Sequence, residues 1–387
     1  MKAARSIFVV APDKFKGSLS ASEAAAAIAR GLRRVAATAL EVRVVPMADG
    51  GEGTVEAFVA GGARRIVRTV RGPLGEPVEA AFALDGSRAI LEMSAASGLG
   101  LVPGERRDPL RATSYGTGEL IAAALDAGAS RIVVGIGGSA TNDGGAGLLQ
   151  ALGVRLLDAA NRELEPGASP LEGLARIELA SLDPRLRAAT LEVAADVDNP
   201  LLGPRGASAV FGPQKGARPQ DLARLEAALA RFADVAAATL GRDERAVPGT
   251  GAAGGLGFAL RAFLGGTLRP GVEVVAELRG LPGALRGAAW CFTGEGSIDA
   301  QTLGGKTVLG VARLAQAAGA RTLAFGGRVE SGAEEALAAE GVVVLPIGDG
   351  PAPLGQALQE AGTLLERAAA RVGRLLGCGG ATSRPAP

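Results

Sequence analysis

The chain has 387 residues, of which 48% are hydrophobic, and this is typical of a globular protein with a large core and two domains more readily than one. Its 41 basic and 40 acidic residues give a formal net charge of +1, so the total charge does not favour nucleic acid or an anionic membrane surface as a partner. The sequence contains no histidine, which excludes histidine general bases, Ser-His-Asp triads and most zinc sites.

The amino terminus does not have the pattern of a targeting segment. Lys2 and Arg5 precede an apolar run that covers only residues 7–11, and no stretch of about 20 apolar residues predicts a membrane span. The two cysteines, Cys291 and Cys378, do not form a disulfide framework. We therefore predict a cytoplasmic protein without nucleic-acid or membrane partners; the sequence leaves the oligomeric state open.

Short runs rich in valine and isoleucine alternate with alanine-rich amphipathic stretches, which is the pattern of a mostly parallel α/β sheet with flanking helices. Ser20 and Glu23 predict a capping box at the start of the first helix. The predicted strands are, in chain order, residues 7–11, 42–46, 131–136, 191–195, 290–293, 322–325 and 342–346. The predicted helices include residues 21–35, 116–127, 219–240 and 306–318.

The order of these elements predicts two domains. Residues 65–93 have the pattern of an antiparallel meander with turns at 72–75 and 85–86, which places a boundary near residue 65. The strand-helix units from residue 288 onward resemble the opening ones. The predicted parts are therefore a discontinuous Rossmann-like or flavodoxin-like α/β domain, an inserted α/β domain that contains the meander, and a disordered tail. They cover residues 1–65 with 288–375, residues 66–287, and residues 376–387 respectively.

Five loops that follow predicted strands share glycine, acidic residues, Ser/Thr and lysine. Because ligands of open α/β sheets bind at the carboxyl ends of the strands, we expect these loops to form the site. Glycine lets backbone N–H groups approach a phosphate, and acidic residues beside a phosphate require a cation such as Mg²⁺. Asp-Gly and Asn-Asp-Gly are also ordinary turn sequences, so the inference depends on the five loops together. They are APDKFKGS, MADGGEGT, GGSATNDGGAG, DVDNPLLG and TGEGSIDAQT.

Three short motifs are near matches to other kinds of site. GGKT at 304–307 resembles the end of a P-loop, but Ala300 stands where that pattern requires glycine, so a P-loop NTPase is excluded. GIGGSA at 135–140 satisfies G-x-G-x-x-A after a predicted strand, with Asp158 about twenty residues on, and leaves an NAD(P)-dependent oxidoreductase as an alternative. DVDN resembles the D-x-D of aspartyl-phosphate phosphatases, but Pro200 and its position along the chain do not fit.

Lysine is scarce, and its positions are informative. Only five of the 41 basic residues are lysine, and Lys14, Lys16, Lys215 and Lys306 all stand beside or near glycine. A compact ammonium group is not interchangeable with a planar guanidinium. These four lysines are therefore candidate phosphate ligands.

Six stretches follow one another along the chain in the order APDKFKGSLSA, PMADGGEGT, GGSATNDGGAG, DVDNPLLG, FGPQKGA and TGEGSIDAQTLGGK. Together they resemble the signature motifs of the type 1 glycerate kinase family. This resemblance extends from the first strand to about residue 350. It implies ATP-dependent phosphorylation of D-glycerate, with the 2-hydroxyl as the preferred acceptor, on a two-domain fold unrelated to P-loop proteins and protein kinases. We expect Mg²⁺-assisted in-line transfer in an interdomain cleft, with closure of the domains on ligands.

Phosphoryl transfer needs positioned reactants, cations at the phosphoryl oxygens and a group that receives the hydroxyl proton. Because histidine is absent, we expect a carboxylate base, and we assign it to Asp196. The predicted catalytic residues are Asp196, Lys14 and Lys306. The predicted metal ligands are Asp49, Glu52 and Asp198. The predicted substrate or phosphate ligands are Lys16, Gly17, Ser18, Gly137, Gly138, Ser139, Asn142, Asp143, Asn199, Lys215, Glu295 and Asp299.

A non-catalytic nucleotide-binding module is a second alternative, because composition does not separate binding from turnover. The density of acidic residues near the predicted phosphate loops favours an enzyme, since binding alone would not need so many.

Overall fold

The computed structural model describes residues 6–34, 40–300, 302–304 and 307–377. The chain divides into two compact units, which we call the terminal unit (Met1–Asp49 with Val272–Pro387) and the central unit (Gly50–Gly271). Each contains a mostly parallel or mixed sheet with helices packed against it, so the predicted α/β class is confirmed. In the described part of the chain, no helix combines the length and apolar character needed to span a membrane.

The strands are β1 (Ser6–Val10), β2 (Leu40–Val44), β3 (Arg64–Arg71), β4 (Pro77–Asp85), β5 (Arg88–Glu92), β6 (Arg131–Gly135), β7 (Arg155–Leu157), β8 (Arg176–Glu178), β9 (Thr190–Ala194), β10 (Thr267–Arg269), β11 (Ala288–Ile298), β12 (Arg321–Val329) and β13 (Val342–Pro346). The helices are α1 (Ala21–Arg33), α2 (Thr54–Ala60), α3 (Ser94–Ser97), α4 (Tyr115–Asp126), α5 (Ala146–Ala151), α6 (Ala207–Phe211), α7 (Pro219–Leu240), α8 (Ala252–Ala262), α9 (Gly271–Leu278), α10 (Leu281–Leu285), α11 (Thr307–Ala317), α12 (Ser331–Ala339), α13 (Leu354–Gln359) and α14 (Ala361–Gly377).

In the terminal unit, five parallel strands form a sheet in the order β13-β12-β11-β1-β2. Alternate residues of a strand point to opposite faces, so Phe8 and Val10 pack with α1 and α14, whereas Val9 packs with α9, α10 and α11. The unit is therefore a three-layer structure with helices on both faces of the sheet.

The central unit is built on a six-stranded sheet in the order β10-β9-β6-β5-β4-β3. β10, β9, β6 and β5 are parallel, and β4 and β3 continue the sheet antiparallel, which confirms the predicted meander. Its core includes α4, α5, α7 and α8, with the rings of Phe232 and Phe258 5.6 Å apart. β7 and β8 form a separate antiparallel pair.

The units divide at positions other than the predicted 65/66 and 287/288. α2 belongs to the central unit, where the N–H of Val55 donates to the buried carboxylate of Glu92 at the end of β5 (2.7 Å). α9 and α10 belong to the terminal unit, where Val275 and Leu285 share a core with Val9. These contacts join residues far apart in sequence, so local patterns do not reveal them.

The other predicted elements need smaller corrections. The helix at 219–240 and the strand at 342–346 have the predicted bounds, and the capping box at Ser20 is present. β11 continues to Ile298, so TGEGSI is strand and not loop, because its pairing with β12 extends to Val329. α14 includes residues 376 and 377, which the predicted tail wrongly contained; the rest of that tail lies outside the described residues.

Helices α1 and α14 pack closely at Gly31. A Cβ atom at this position would lie 2.3 Å from the carbonyl oxygen of Glu366 and 2.8 Å from the Cβ of Ala369. Alanine is favoured over glycine in a helix by about 1 kcal/mol, but overpacking costs about 1–3 kcal/mol. We expect Gly31→Ala to lower the free energy of unfolding of the terminal unit by about 1–2 kcal/mol. The measurement is denaturant unfolding followed by the fluorescence of Trp290, the one tryptophan of the chain, which lies in β11.

Gly332 in α12 is the matched control, because a Cβ there would have no described atom within 4 Å. Gly332→Ala should raise the free energy of unfolding by up to about 1 kcal/mol. If Gly31→Ala is as stabilising as its control, the contact with α14 does not constrain this position.

Candidate active site

In the terminal unit, the loop after β1 lies beside the end of β11. The N–H of Ala11 donates to the carbonyl of Phe292 (2.7 Å), and the N–H of Asp13 donates to the carbonyl of Gly294 (2.9 Å). The chain continues from β1 to β2 on one side and from β11 to β12 on the other, so the strand order reverses between β1 and β11. Ligands of open α/β sheets bind at such a reversal.

Asp13 is fixed at this reversal by two hydrogen bonds. Its Oδ1 accepts from the N–H of Lys14 (2.6 Å), and its Oδ2 accepts from the hydroxyl of Thr307 (2.5 Å). The residue is only 8% exposed. Burial, and after it repulsion from Asp49, raises the pKa of Asp13 to about 6. The sequence analysis missed this residue, although an acid between a strand and two lysines was a signal for it.

The KFKGS turn follows directly. The hydroxyl of Ser18 donates to the carbonyl of Phe15 (3.0 Å), so this predicted anion ligand also stabilises its own turn. Lys16 and Gly17 are exposed, and Lys14 is half-buried. The turn therefore presents at least one ammonium group to solvent at the carboxyl end of β1.

Glu295 lies within β11, and Asp299 directly follows the strand. Thr302 links them, because its hydroxyl donates to Oε1 of Glu295 (2.7 Å) and accepts from the N–H of Asp299 (3.1 Å). The hydroxyl of Ser297 donates to Oδ2 of Asp299 (3.2 Å). These two predicted ligands thus belong to one hydrogen-bonded turn. Lys306 lies outside the described residues.

In the central unit, glycines of two motifs pack backbone against backbone at the carboxyl ends of β6 and β9. A Cβ on Gly135 would lie 1.7 Å from the carbonyl oxygen of Gly50, and a Cβ on Gly50 would lie 2.6 Å from the Cβ of Ala194. Only glycine permits this approach. Packing therefore explains part of the glycine content of DGGEGT and GIGG. The next residues, Gly137 and Gly138, are exposed.

Ser139 is buried and forms an isolated bridge with Gly98. Its backbone is therefore committed to the central unit, and the two glycines before it are the accessible part of the predicted phosphate loop.

The buried carboxylate of Asp143 stabilises the SATNDGG loop through four hydrogen bonds. Its Oδ2 accepts from the N–H and the hydroxyl of Ser114 (both 2.8 Å) and from the N–H of Gly147 (3.2 Å), and its Oδ1 accepts from the N–H of Gly145 (3.1 Å). Burial raises the pKa of Asp143, and these hydrogen bonds oppose that shift. The described geometry is that of a residue that fixes the loop, and the carboxylate is not exposed to a ligand.

Lys215 is also buried, at 2% exposure, and its ammonium donates to the carbonyl of Thr141 (2.7 Å). Burial lowers the pKa of Lys215 to about 7, and the charge of Asp143 opposes that shift. Asn142 donates to the hydroxyl of Ser208 (3.0 Å), and its Oδ1 has no hydrogen-bond partner among the described residues. In this conformation neither predicted ligand is accessible to a phosphate.

The DVDN loop begins two residues after β9. Oδ1 of Asp196, which is half-buried, accepts from the N–H of Gly271, the first residue of α9 (2.8 Å). Asn199 donates to the carbonyl of Arg205 (2.7 Å), so its amide closes this loop. Asp196 therefore lies at the carboxyl edge of the central sheet.

The three predicted metal ligands differ in exposure and in the unit to which they belong. Asp198 is exposed and pairs with Arg205 (3.0 Å), Glu52 is exposed in the central unit, and Asp49 is half-buried in the terminal unit. Across residues 6–34, 40–300, 302–304 and 307–377, no three acidic or cysteine side chains are arranged to hold a metal ion.

A left-handed turn against the SATNDGG loop was not identified from the sequence. Ala253, Gly254 and Gly255 have φ values of 53°, 69° and 90°. A Cβ on Gly254 would lie 2.0 Å from the carbonyl oxygen of Thr141, and the N–H of Gly144 donates to the carbonyl of Gly254 (2.9 Å). An alanine in this conformation costs about 1–2 kcal/mol, so packing imposes it. The glycine density of GTGAAGGLG was the available signal.

The GIGGSA fingerprint does not have the geometry of a dinucleotide site. Helix α5 begins six residues after Ala140 and is short, and the chain then enters the antiparallel β7–β8 pair instead of a parallel neighbour. Asp158 forms an ion pair with Arg162 (2.8 Å). Residues 135–158 therefore do not form the continuous strand–helix–strand unit in which this fingerprint binds a dinucleotide.

Comparison with known proteins agrees with the six motifs. The chain matches the model of the glycerate kinase family over residues 8–377. It is 50% identical over 365 residues to a glycerate kinase of Bacillus subtilis (strain 168), across 93% of this chain and 95% of that protein. It is 51% identical over 312 residues to a glycerate 2-kinase of Escherichia coli (strain K12), across 80% and 81%.

The fold also matches a crystal structure from Salmonella typhimurium LT2, of a protein provisionally assigned as glycerate kinase 2. The TM-score is 0.88 at 46% identity, and the match covers 97% of this chain and 99% of that chain. On the motifs, the family match and these relatives, the chain belongs to the glycerate kinase family.

Proposed function

We propose that this protein transfers the terminal phosphoryl group of ATP to D-glycerate and forms 2-phosphoglycerate. The observation that carries the proposal is the identity of 50% and 51% to proteins named glycerate kinase and glycerate 2-kinase, over most of both chains. The name of the Escherichia coli relative supports the 2-hydroxyl as the acceptor.

The KFKGS turn is the proposed anion site. Lys16 and Gly17 are exposed at the carboxyl end of β1, beside the reversal of strand order, and Lys14 lies in the same turn. Ammonium groups positioned before the reaction stabilise the charge that develops on the phosphoryl oxygens. Lys306, in the GGK segment before α11, is assigned the same role.

Asp196 is the proposed general base. Its hydrogen bond from the N–H of Gly271 orients the carboxylate, which would accept the proton of the substrate hydroxyl. In a chain without histidine, and with Lys215 buried, an accessible carboxylate is the side chain suited to accept a proton near neutral pH.

Mg²⁺ is the cation that these groups would bind with ATP. It takes one or two carboxylates and completes its coordination with phosphate oxygens and water, so a cluster of three acids is not required. Asp49 fits this role as a half-buried carboxylate of the terminal unit, and Glu52 is accessible, whereas Asp198 is already paired with Arg205. When bound, the cation would neutralise phosphoryl charge.

The reaction itself is the first test. Purified protein incubated with D-glycerate, ATP and Mg²⁺ should release ADP only when glycerate is present, and phosphorus NMR should identify 2-phosphoglycerate. L-glycerate serves as the stereochemical control. Formation of 3-phosphoglycerate would retain the kinase but contradict the proposed acceptor hydroxyl. Absence of glycerate-dependent ADP would favour the non-catalytic nucleotide-binding module.

Replacement of the proposed base should reduce turnover without unfolding the protein. Asp196→Asn keeps the hydrogen-bond acceptor for Gly271 but cannot accept a proton, so we expect kcat to fall by about 10² to 10⁴. Asp234→Asn, an exposed ion-paired aspartate of α7, is the control and should leave kcat unchanged. Near-normal turnover of Asp196→Asn would place the base elsewhere.

The buried ammonium of Lys215 should titrate near neutral pH. NMR of ¹³C-labelled lysine Cε groups is well suited, because the chain has five lysines and no histidine. One signal should titrate at about pH 7 and disappear in Lys215→Met, but remain in Lys16→Met. If no lysine signal titrates below pH 9, the Lys215 ammonium is not buried as described.

The same shift fixes the sign of its effect on stability. The unfolded chain keeps the ordinary pKa of 10.5, so between about pH 7 and that value it binds more protons than the folded protein. The destabilisation caused by Lys215 is therefore complete below pH 7 and decreases as the pH rises through this window.

A further inference from the structure

The hydrogen bond between Asp13 and Thr307 joins the loop after β1 to the first residue of α11. It spans 294 positions of sequence, and its 2.5 Å length and the burial of both side chains, at 8% and 0% exposure, isolate it from water. A hydrogen bond to a charged acceptor in such surroundings is among the stronger ones in proteins.

Asp13 is itself held on three sides. Its N–H is bound to the carbonyl of Gly294 in β11, its Oδ1 accepts from the N–H of Lys14, and its Oδ2 accepts from Thr307. The carboxylate therefore fixes the start of α11 relative to both strands at the reversal of the sheet.

The contact lies next to the lysines of the proposed anion site. Lys14 directly follows Asp13 in the loop after β1, and beyond Thr307 the buried side chains of Val308 and Val311 anchor α11 in the core. Core packing holds the helix as a body, whereas the Thr307 hydroxyl ties its first residue to the loop after β1. The negative carboxylate also lies at the amino-terminal end of α11, where the helix dipole favours it.

We propose that Asp13 is a positioning residue for phosphoryl transfer, which acts by holding Thr307, the first residue of α11, against the loop after β1 that carries Lys14 and Lys16. Its effect on turnover rests on the proposed kinase function; its effect on α11 does not. Asp13 acts on the geometry of its neighbours and is not assigned a contact with substrate.

The kinetic test is a double-mutant cycle. Asp13→Ala and Thr307→Val each remove the hydrogen bond, and each should lower kcat about tenfold to a hundredfold with a smaller change in KM for glycerate. Because both changes break one contact, the double variant should be no slower than the slower single variant. Thr307→Ser keeps the hydroxyl and should retain most of kcat. Additive losses, or normal kcat in Thr307→Val, would overturn the proposal.

Thr322→Val is the matched control, since Thr322 is another buried threonine of the terminal unit and lies in β12. It should leave kcat unchanged. Loss of activity in this control equal to that in Thr307→Val would mean that removal of any buried hydroxyl disturbs the unit.

Hydrogen exchange tests whether Asp13 holds α11 independently of whether the protein phosphorylates glycerate. Amides in the first turn of α11 should exchange faster in Asp13→Ala and Thr307→Val, whereas those of α12 should keep their protection, and Trp290 fluorescence should report a folded unit. Unchanged exchange in α11 would overturn the proposal even in an active enzyme. Wild-type protein without glycerate turnover would contradict the proposed function, and the exchange result would still decide whether Asp13 holds α11.

Discussion

The contact of the Gly50 carbonyl with Gly135 sets the geometry at the carboxyl edge of the central sheet. A Cβ atom on Gly135 would lie only 1.7 Å from the carbonyl oxygen of Gly50. The backbones of the two motifs therefore touch without intervening side chains. The SATNDGG loop that follows is packed in the same manner against Gly254. Loops fixed by backbone contact lose little on binding a ligand, since their conformational entropy has already been lost on folding. Glycine therefore contributes to the site first as a packing residue.

Two buried charged side chains, Asp143 and Lys215, lie at this edge, and they differ in the number of hydrogen bonds that they form. Asp143 accepts four hydrogen bonds, which offset much of the cost of removing a carboxylate from water. Lys215 donates to Thr141, and burial correspondingly lowers the pKa of its ammonium. A hydrophobic residue at either position would cost less but could not hold loop backbone. These groups therefore specify one conformation of the loop.

The sequence predicted most elements but few of the contacts that define the site. Strands such as β13 follow from short valine runs, whereas the extension of β11 was missed because TGEGSI has the composition of a loop and its pairing partner lies in β12. The unit boundaries depend on packing of α2, α9 and α10 that no local pattern encodes. The same limit applies to side chains. Composition identified Lys215 as unusual, but only the fold shows that its ammonium is buried, and Asp13 gained its importance from a threonine 294 residues away.

The burial of Lys215 changes how the remaining lysines are interpreted. Because its ammonium donates to the carbonyl of Thr141, the lysines left to neutralise phosphate are Lys14, Lys16 and Lys306, all of which belong by sequence to the terminal unit. The central unit instead offers exposed backbone at Gly137 and Gly138 and the carboxylate of Asp196. In the proposed reaction, neutralisation of phosphate by lysine and acceptance of the substrate proton are therefore assigned to different units. This division gives a physical reason for an acid-rich, glycine-rich edge in one unit and a lysine-containing turn in the other, which a single repeated phosphate motif would not explain.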